Sequence, residues 1–295
     1  MTSQAHSKRT LDWDKLVVRT FLVLWLAVLV VPVVMMLAFS FFTTEGMQTV
    51  FRPTLETWKT LFSSGRWFVG VRTLGFAFMV TAVALTAAVP FAFWLSKRCS
   101  SVALRSAILV AMTIPFFLEI TSRTIVWRFL LGSNGPINRG LEAIGIPAQS
   151  WLLYSEPAVL FGMVILYFPS MFFPIYMAIE LLETSLLNAA EDLGATPWQA
   201  FRLVVIPLAM PGILAGIVFT MVPAMAEFVV PQLLGGFNVN MLGNSINAAL
   251  AALKYPTAAA LSAFVLLALV VLAVMLRVSA KRSGVLASAA EGLQA

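Results

Sequence analysis

The chain has 295 residues, of which 60% are hydrophobic and 11% are charged, and its formal net charge is +6. Because a soluble globular domain carries about 25% charged residues, this composition excludes a soluble domain and indicates an integral membrane protein. Basic residues in such a protein mark loop topology and contact anionic membrane lipid, so the positive charge predicts no nucleic-acid binding.

The numbers of cysteine and histidine residues, and the absence of a nucleotide-binding pattern, exclude further kinds of site. The single cysteine, Cys99, and the single histidine, His6, exclude an intramolecular disulfide and predict no metal centre. The Walker A pattern (Gly, four residues, Gly-Lys, then Ser or Thr) does not occur, so we expect no ATP or other cofactor in this chain.

Apolar segments predict an all-α fold with six transmembrane helices, since about 20 residues cross about 30 Å of hydrocarbon. Residues 1–19 are polar and basic and predict a cytoplasmic N-terminal tail; residues 20–278 form the transmembrane domain, and 279–295 form a cytoplasmic C-terminal tail. The predicted spans are 20–44, 73–96, a third beginning near Val102, 157–179, 207–230 and 257–276.

Three segments between the spans are predicted to lie on the external side: 45–72, 121–156, which includes a short interfacial helix over 138–145, and 231–256. Ten Lys and Arg residues lie in the tails and the turn between spans two and three, against eight in the external segments. This bias favours cytoplasmic termini.

The third span is the least regular of the six. Only residues 106–118 are uncharged, Pro115 interrupts them, and Glu119, Arg123 and Arg128 follow. Charges at that depth are costly unless they face protein or water, so we expect the span to end or break near residues 115–121. Glu119 and Arg123 have helical i,i+4 spacing, which favours a structural ion pair over a direct role in transport.

A polar segment, residues 183–207, interrupts the apolar second half of the chain between the fourth and fifth spans. Its first part predicts a short helix with Leu186, Ala190 and Leu193 on one face, and Gly194 provides a flexible exit. The segment is too short to bury itself and too regularly patterned for a slack loop. It therefore predicts a docking element.

A second short helix is predicted directly after this break. Thr196 stands where an N-cap belongs and Pro197 takes the first helical position. Trp198, Phe201 and Val205 then form an apolar stripe at helical spacing.

This segment resembles the cytoplasmic coupling motif of ABC importer permeases, in which Glu-Ala-Ala, three residues and Gly precede an apolar run that ends in Leu-Pro or Ile-Pro. Asn188 departs from that motif, because the family usually has Glu there. The resemblance implies docking on an ATPase, with Glu191 and Asp192 as partner contacts; a plain solvated face is the alternative. The coupling role falls on Asn188, Ala189, Ala190, Glu191, Asp192, Gly194, Pro197, Phe201 and Pro207.

A more specific pattern closes the fifth span. Residues 223–236 resemble the Pro-Ala-x-Gly-Glu-Phe-Val-x-Pro-x-Leu-Leu-Gly-Gly signature of the polyamine (spermidine/putrescine) branch of these permeases, with Ala226 at a usual Gly position. Arg123, Trp127 and residues 131–138 match the external-loop pattern of the same branch. The resemblance implies half of the path for a small cationic solute such as spermidine or putrescine. Opines, amino-acid-like amines and other small solutes remain open.

Four side chains are candidates for the substrate path. Glu227 could attract a cation, but it could also lie at the outer interface with its carboxylate satisfied by backbone amides of the following loop. Trp127 and Tyr167 could stack on an amine, although such rings more often fill a core or anchor an interface. Glu119 completes the set, with the ion pair described above as its structural alternative.

The resemblance also implies the partners. They are a cytoplasmic ABC ATPase dimer that binds ATP-Mg, a second and non-identical permease, an extracytoplasmic solute-binding protein and membrane lipid. The expected location is the bacterial inner membrane. Two other classes compete: a stand-alone secondary transporter, which would have inverted repeats and paired broken helices, and an intramembrane enzyme, which would need a nucleophile–base pair or a metal set.

Overall fold

The computed structural model describes residues 5–46, 48–236 and 238–282, which are almost entirely helical apart from one short hairpin. Four described helices are long and apolar enough to cross a membrane, and two bent pairs raise that number to six. The predicted all-α membrane fold is thus confirmed. Residues 1–4 and 283–295 of the predicted tails lie outside the described residues.

The described residues form two compact units, and those within 1–64 and 249–263 make the first. Helix α1 (Ala5–Phe39) is followed by strands β1 (Thr43–Glu45) and β2 (Gln48–Val50), which pair antiparallel, and by α2 (Glu56–Ser63). The predicted first span, 20–44, is wrong at both ends. The helix already begins in the polar segment, and it stops at Phe39 because the hairpin takes up the residues that follow.

The described residues within 65–248 and 264–282 make the second unit. Helix α3 (Trp67–Phe93) starts before the predicted residue 73, because the apolar run already begins at Trp67, and it continues in a π-helical turn (Trp94–Arg98). Small residues on one side of α3 are fully buried and let neighbouring helices approach closely; they are Ala77, Ala84, Ala88 and Ala92.

The irregular third span breaks where the sequence predicts. Helix α4 (Val102–Thr113) ends in a 3-10 turn (Ile114–Phe117), and α5 (Ile120–Leu131) leaves it at a bend of 106° between the two helical runs. Helix α6 (Pro136–Ala143) corresponds to the predicted short helix over 138–145, but it begins and ends two residues earlier. However, the first part of the segment 121–156, predicted as external connection, belongs to α5, which runs to Leu131.

Helix α7 (Glu156–Glu180) matches the predicted fourth span and keeps Pro169 and Pro174 inside it. After α8 (Thr184–Asp192), α9 (Pro197–Ala200), a π-helical turn (Phe201–Val205) and α10 (Ile206–Leu208), the chain bends by 69° into α11 (Met210–Ala226). The predicted fifth span, 207–230, is therefore too long at both ends.

Three helices complete the chain: α12 (Val229–Leu234), α13 (Leu242–Ala251) and α14 (Tyr255–Arg282). The prediction of a loop over 231–256 is wrong, because the apolar Leu242–Ala251 stretch forms α13. The last helix contains the predicted sixth span.

Helices α7 and α11 cross through small residues. A Cβ added to Gly212 would lie 2.4 Å from Ala178 Cβ and 2.5 Å from the carbonyl oxygen of Pro174. One added to Gly216 would lie 2.9 Å from the carbonyl oxygen of Met171. The two backbones therefore touch almost directly, as membrane helices do where glycine faces the neighbour.

Candidate functional site

The predicted break in segment 183–207, the coupling segment, is present. Helix α8 ends before Gly194, whose φ of +85° is a conformation that favours glycine. Thr196 caps α9 reciprocally with Gln199: Thr196 Oγ1 accepts the Gln199 N–H (3.3 Å), and Gln199 Oε1 accepts the Thr196 N–H (2.7 Å). This capping box satisfies two amides that a helix start otherwise leaves unpaired.

The coupling segment presents an exposed surface. None of the side chains of α8, all of which the structure describes, is buried. Leu193 is 89% exposed, and Glu191 and Asp192 are exposed beside it. Exposed apolar side chains mark an interaction site when they form a contiguous patch rimmed by polar residues. Of the predicted coupling residues, Asn188, Ala189, Gly194, Pro197 and Pro207 are also exposed, and Ala190 is half-buried.

The predicted stripe Trp198–Phe201–Val205 is only partly correct. Phe201 and Val205 are buried in the same hydrophobic cluster, but Trp198 is 65% exposed even though its ring centroid lies 5.5 Å from that of Phe201. The reason is that α9 is short and passes into a π-helical turn, which changes the angular spacing of side chains from that of a regular α-helix. Trp198 thus joins the exposed surface.

Phe201 attaches the second half of the coupling segment to the membrane helices. Its ring centroid lies 4.9 Å from that of Phe93 at the end of α3, and Val205 packs in the cluster that also contains Leu95. The segment therefore has one buried edge and one exposed edge.

Glu227 is buried, with 6% of its surface exposed, directly after the end of α11. Its Oε1 accepts the backbone N–H groups of Phe228 (3.1 Å), Val229 (2.8 Å) and Val230 (3.4 Å), and its Oε2 accepts the Tyr167 hydroxyl (2.6 Å). The alternative of a carboxylate satisfied by the following backbone amides is what the structure shows. Those amides belong to the start of α12, however, rather than to a loop.

The predicted Glu119–Arg123 ion pair is not formed. Glu119 instead caps α5, accepting the Ser122 N–H (3.0 Å) and the Thr121 hydroxyl (2.8 Å). Both carboxylate oxygens of Glu119 are thus used at the start of the helix. Arg123 Nε is buried and has no hydrogen-bond partner among the described residues.

Trp127 and Arg123 line a small cavity together with Leu166 and Leu234. The Trp127 ring packs edge-to-face on Phe161, with 5.0 Å between the centroids. The structure thus brings the predicted path residues Glu227 and Tyr167 together, and it places Trp127 beside Arg123, which was not among the predicted path residues. Glu119 is exposed at the start of α5 and joins neither pair.

A polar cluster that the sequence analysis did not single out joins the ends of three helices. Arg105 forms a salt bridge with Glu180, and both contact further polar groups of Ser96, Lys97 and Tyr176. We call these five residues the Arg105 network. The sequence does contain the basic turn between spans two and three and an acid, Glu180, at the end of the fourth span. Nothing in the sequence indicates that Arg105 and Glu180 form a salt bridge.

Comparison with known proteins gives three results. Residues 84–284 match the family described as "Binding-protein-dependent transport system inner membrane component". The spermidine/putrescine transport system permease protein PotB of Haemophilus influenzae is 38% identical over 225 residues, covering 75% of this chain and 78% of the relative. PotB of Escherichia coli K12 is 34% identical over 227 residues, covering 75% and 81%.

Solved structures agree at the level of the fold. A bacterial alginate ABC transporter, crystallised with an alginate-bound periplasmic protein, contains a chain that superposes with a TM-score of 0.73 at 18% identity. The superposition covers 94% of this chain and 96% of that one. At this identity the likeness concerns the architecture alone.

Proposed function

Because the chain belongs to the family of binding-protein-dependent transport system inner membrane components, we propose that it forms half of the translocation path of an ABC importer for a small organic cation. It is a multi-pass membrane transport subunit rather than an enzyme. Spermidine and putrescine are the first candidates, and the observation that carries them is the 38% identity to a spermidine/putrescine permease over three quarters of the chain.

A second class of solute is favoured by one feature of the cavity. Arg123, whose Nε is buried without a partner among the described residues, lines the same small cavity as Trp127. The cavity has a volume of about 20 Å³, which is room for a water molecule only, so a solute would enter it only after the surrounding helices move. A solute that carries both an amine and a carboxylate, such as an opine or an amino-acid-like amine, would then satisfy the guanidinium and stack on the indole. A polyamine would supply only the second contact.

The partners follow from the same premise. The exposed edge of the coupling segment, with Leu193 and Trp198 as apolar contacts and Glu191 and Asp192 as charges, would dock on a cytoplasmic ABC ATPase dimer that binds ATP-Mg. A basic groove on the ATPase would complement the two acids. A second permease completes the path, an extracytoplasmic binding protein delivers the solute, and both termini lie in the cytoplasm.

Capture of an ATPase tests this proposal directly. The tagged subunit would be purified from mild detergent as wild type, as Gly194→Trp and as Gly145→Trp. The two glycines are matched, with φ of +85° and +83°, and a Cβ added to either would meet nothing within 4 Å, but only Gly194 lies in the coupling segment. We expect the wild type and Gly145→Trp to retain the ATPase, and Gly194→Trp to lose it.

Uptake into proteoliposomes tests the solute. The complete importer with its binding protein would be assayed with spermidine, putrescine and an opine, with and without ATP. ATP-dependent uptake of a polyamine supports the first candidate, whereas uptake of the opine alone replaces it with the second. If the wild type retained no ATPase and this chain alone carried out uptake, the proposal would be contradicted and a secondary transporter would be favoured.

A further inference from the structure

The Arg105 network lies where α3, α4 and α7 end or begin together. Arg105 is in the first turns of α4, Ser96 and Lys97 are in the π-helical turn after α3, and Tyr176 and Glu180 are in the last turns of α7. All five residues belong to the second compact unit. Three chain segments that are far apart in sequence therefore meet at one cluster of charges.

The guanidinium of Arg105 donates to two partners at once. Its Nε–H donates to the Tyr176 hydroxyl (2.7 Å), and an Nη–H donates to Glu180 Oε1 in the salt bridge. The guanidinium carbon also lies 5.6 Å from the centre of the Tyr176 ring. The second carboxylate oxygen of Glu180 accepts the Ser96 hydroxyl (2.7 Å). This arrangement uses the planar geometry of arginine, which lysine does not reproduce.

Lys97 extends the network to the start of the coupling segment. Its Nζ donates to the carbonyl oxygens of Glu180 (3.3 Å) and Leu182 (2.6 Å). These carbonyls stand at the end of α7, where a helix leaves its last acceptors unpaired and a cation is favourable. The coupling segment begins at the next residue, 183.

Two parts of the coupling segment are thus attached to the end of α3 and the turn that follows it. Lys97 bonds to Leu182 directly before the segment, and Phe93 packs on Phe201 in its second half. Between these attachments α8 fully buries none of its side chains, all of which are described, but Leu187 packs at the edge of the same hydrophobic cluster. The segment is therefore held against the ends of the membrane helices at several points, so a displacement of the segment is passed to them.

We propose that the Arg105 network is a positioning device that makes the coupling segment and the ends of α3, α4 and α7 move as one body when the ATPase pulls on the segment. This inference rests on the proposed function. Without the network, the ATPase would still dock and hydrolyse ATP. The motion of the coupling segment would then be lost in the α7–α8 junction instead of reaching the membrane helices.

The measurement is the amount of solute imported per ATP hydrolysed, in proteoliposomes containing the complete importer. We expect Arg105→Gln to lower this ratio about tenfold, the equivalent of one charge-assisted hydrogen bond, with the ATPase still bound and still hydrolysing ATP. Tyr176→Phe removes one acceptor of the guanidinium but leaves the salt bridge to Glu180 in place, so it should lower the ratio by less, about threefold. Combining Arg105→Glu with Glu180→Arg should recover most of what Arg105→Glu alone loses.

Arg98→Gln is the matched control, because it removes an exposed charge from the same turn and should leave the ratio unchanged. An unchanged ratio in Arg105→Gln, or an equal fall in Arg98→Gln, would overturn the inference. So would a proportional loss of assembly, hydrolysis and uptake in Tyr176→Phe, since the network would then serve folding alone. Failure of the proposed function would be seen in the wild type itself, as absence of ATP-dependent uptake.

Discussion

Replacement of Glu227 by Gln should destabilise the protein measurably. The carboxylate accepts four hydrogen bonds, three of them from the first amides of α12 and the fourth from the Tyr167 hydroxyl. Only 6% of Glu227 is exposed, so water cannot replace these bonds. Gln can still offer its single carbonyl oxygen to the amides and its NH₂ to the tyrosine oxygen, but the bonds lose the help of the charge.

The magnitude follows from the loss of charge assistance. A hydrogen bond to a charged group contributes about 1.5–3 kcal/mol and a neutral one about 1 kcal/mol. Because Gln keeps the positions of the hydrogen bonds and removes only the charge of the side chain, we expect Glu227→Gln to lower the free energy of unfolding by about 1–2 kcal/mol. Glu227→Ala leaves the amides and the hydroxyl unpaired and should cost about 3–5 kcal/mol.

Denaturant titration of the purified subunit in detergent would measure this loss, with Glu142→Gln on the exposed surface of α6 as control. A double-mutant cycle with Tyr167→Phe should show a coupling of about 1 kcal/mol, because the two side chains share one bond. A change within about 0.5 kcal/mol for Glu227→Gln would refute the capping argument. If stability stayed constant while the KM for uptake rose, Glu227 would instead be a ligand of the solute.

Three further outcomes are expected. Gly212→Ala should lower the thermal midpoint and the yield of monodisperse protein, because the new Cβ would lie 2.4 Å from an atom of the facing helix. Overpacking of this kind costs about 1–3 kcal/mol. Gly75→Ala is the control and should change neither quantity, since a Cβ there would meet nothing within 4 Å. Thr196→Ala should cost about 1 kcal/mol locally and speed hydrogen exchange at the start of α9, whereas Thr184→Ala should leave exchange there unchanged. Trp198→Ala should weaken ATPase capture about tenfold or more, with unchanged stability of the isolated subunit.

Features that depend on neighbours in the sequence were predictable. The break near Pro115 follows from a proline and charges placed inside an apolar run, and the cap at Thr196 follows from a cap residue directly before a proline. Both signals act within one helical turn. For the same reason, the positions of the long helices were predicted better than their ends.

Features that depend on a choice between local and distant partners were not predictable. Glu119 has both an i,i+4 arginine and nearby amides available, and the sequence does not show that the amides win. Arg105 and Glu180 come together only because α4 and α7 end at the same place. The exposure of Trp198 depends on a π-helical turn, which has no recognisable pattern in this stretch.

The crossing of α7 and α11 has a mechanical consequence. At Gly212 and Gly216 the two backbones approach with no side chain between them, while larger side chains such as Ile175 and Ile213 pack around the contact. Pro174 in α7 also lacks the N–H that would tie its turn to the preceding one, so α7 can bend there without losing a hydrogen bond. A thicker residue at either glycine would push the helices apart and remove this packing. The pair is therefore suited to small sliding movements of packed helices rather than to separation.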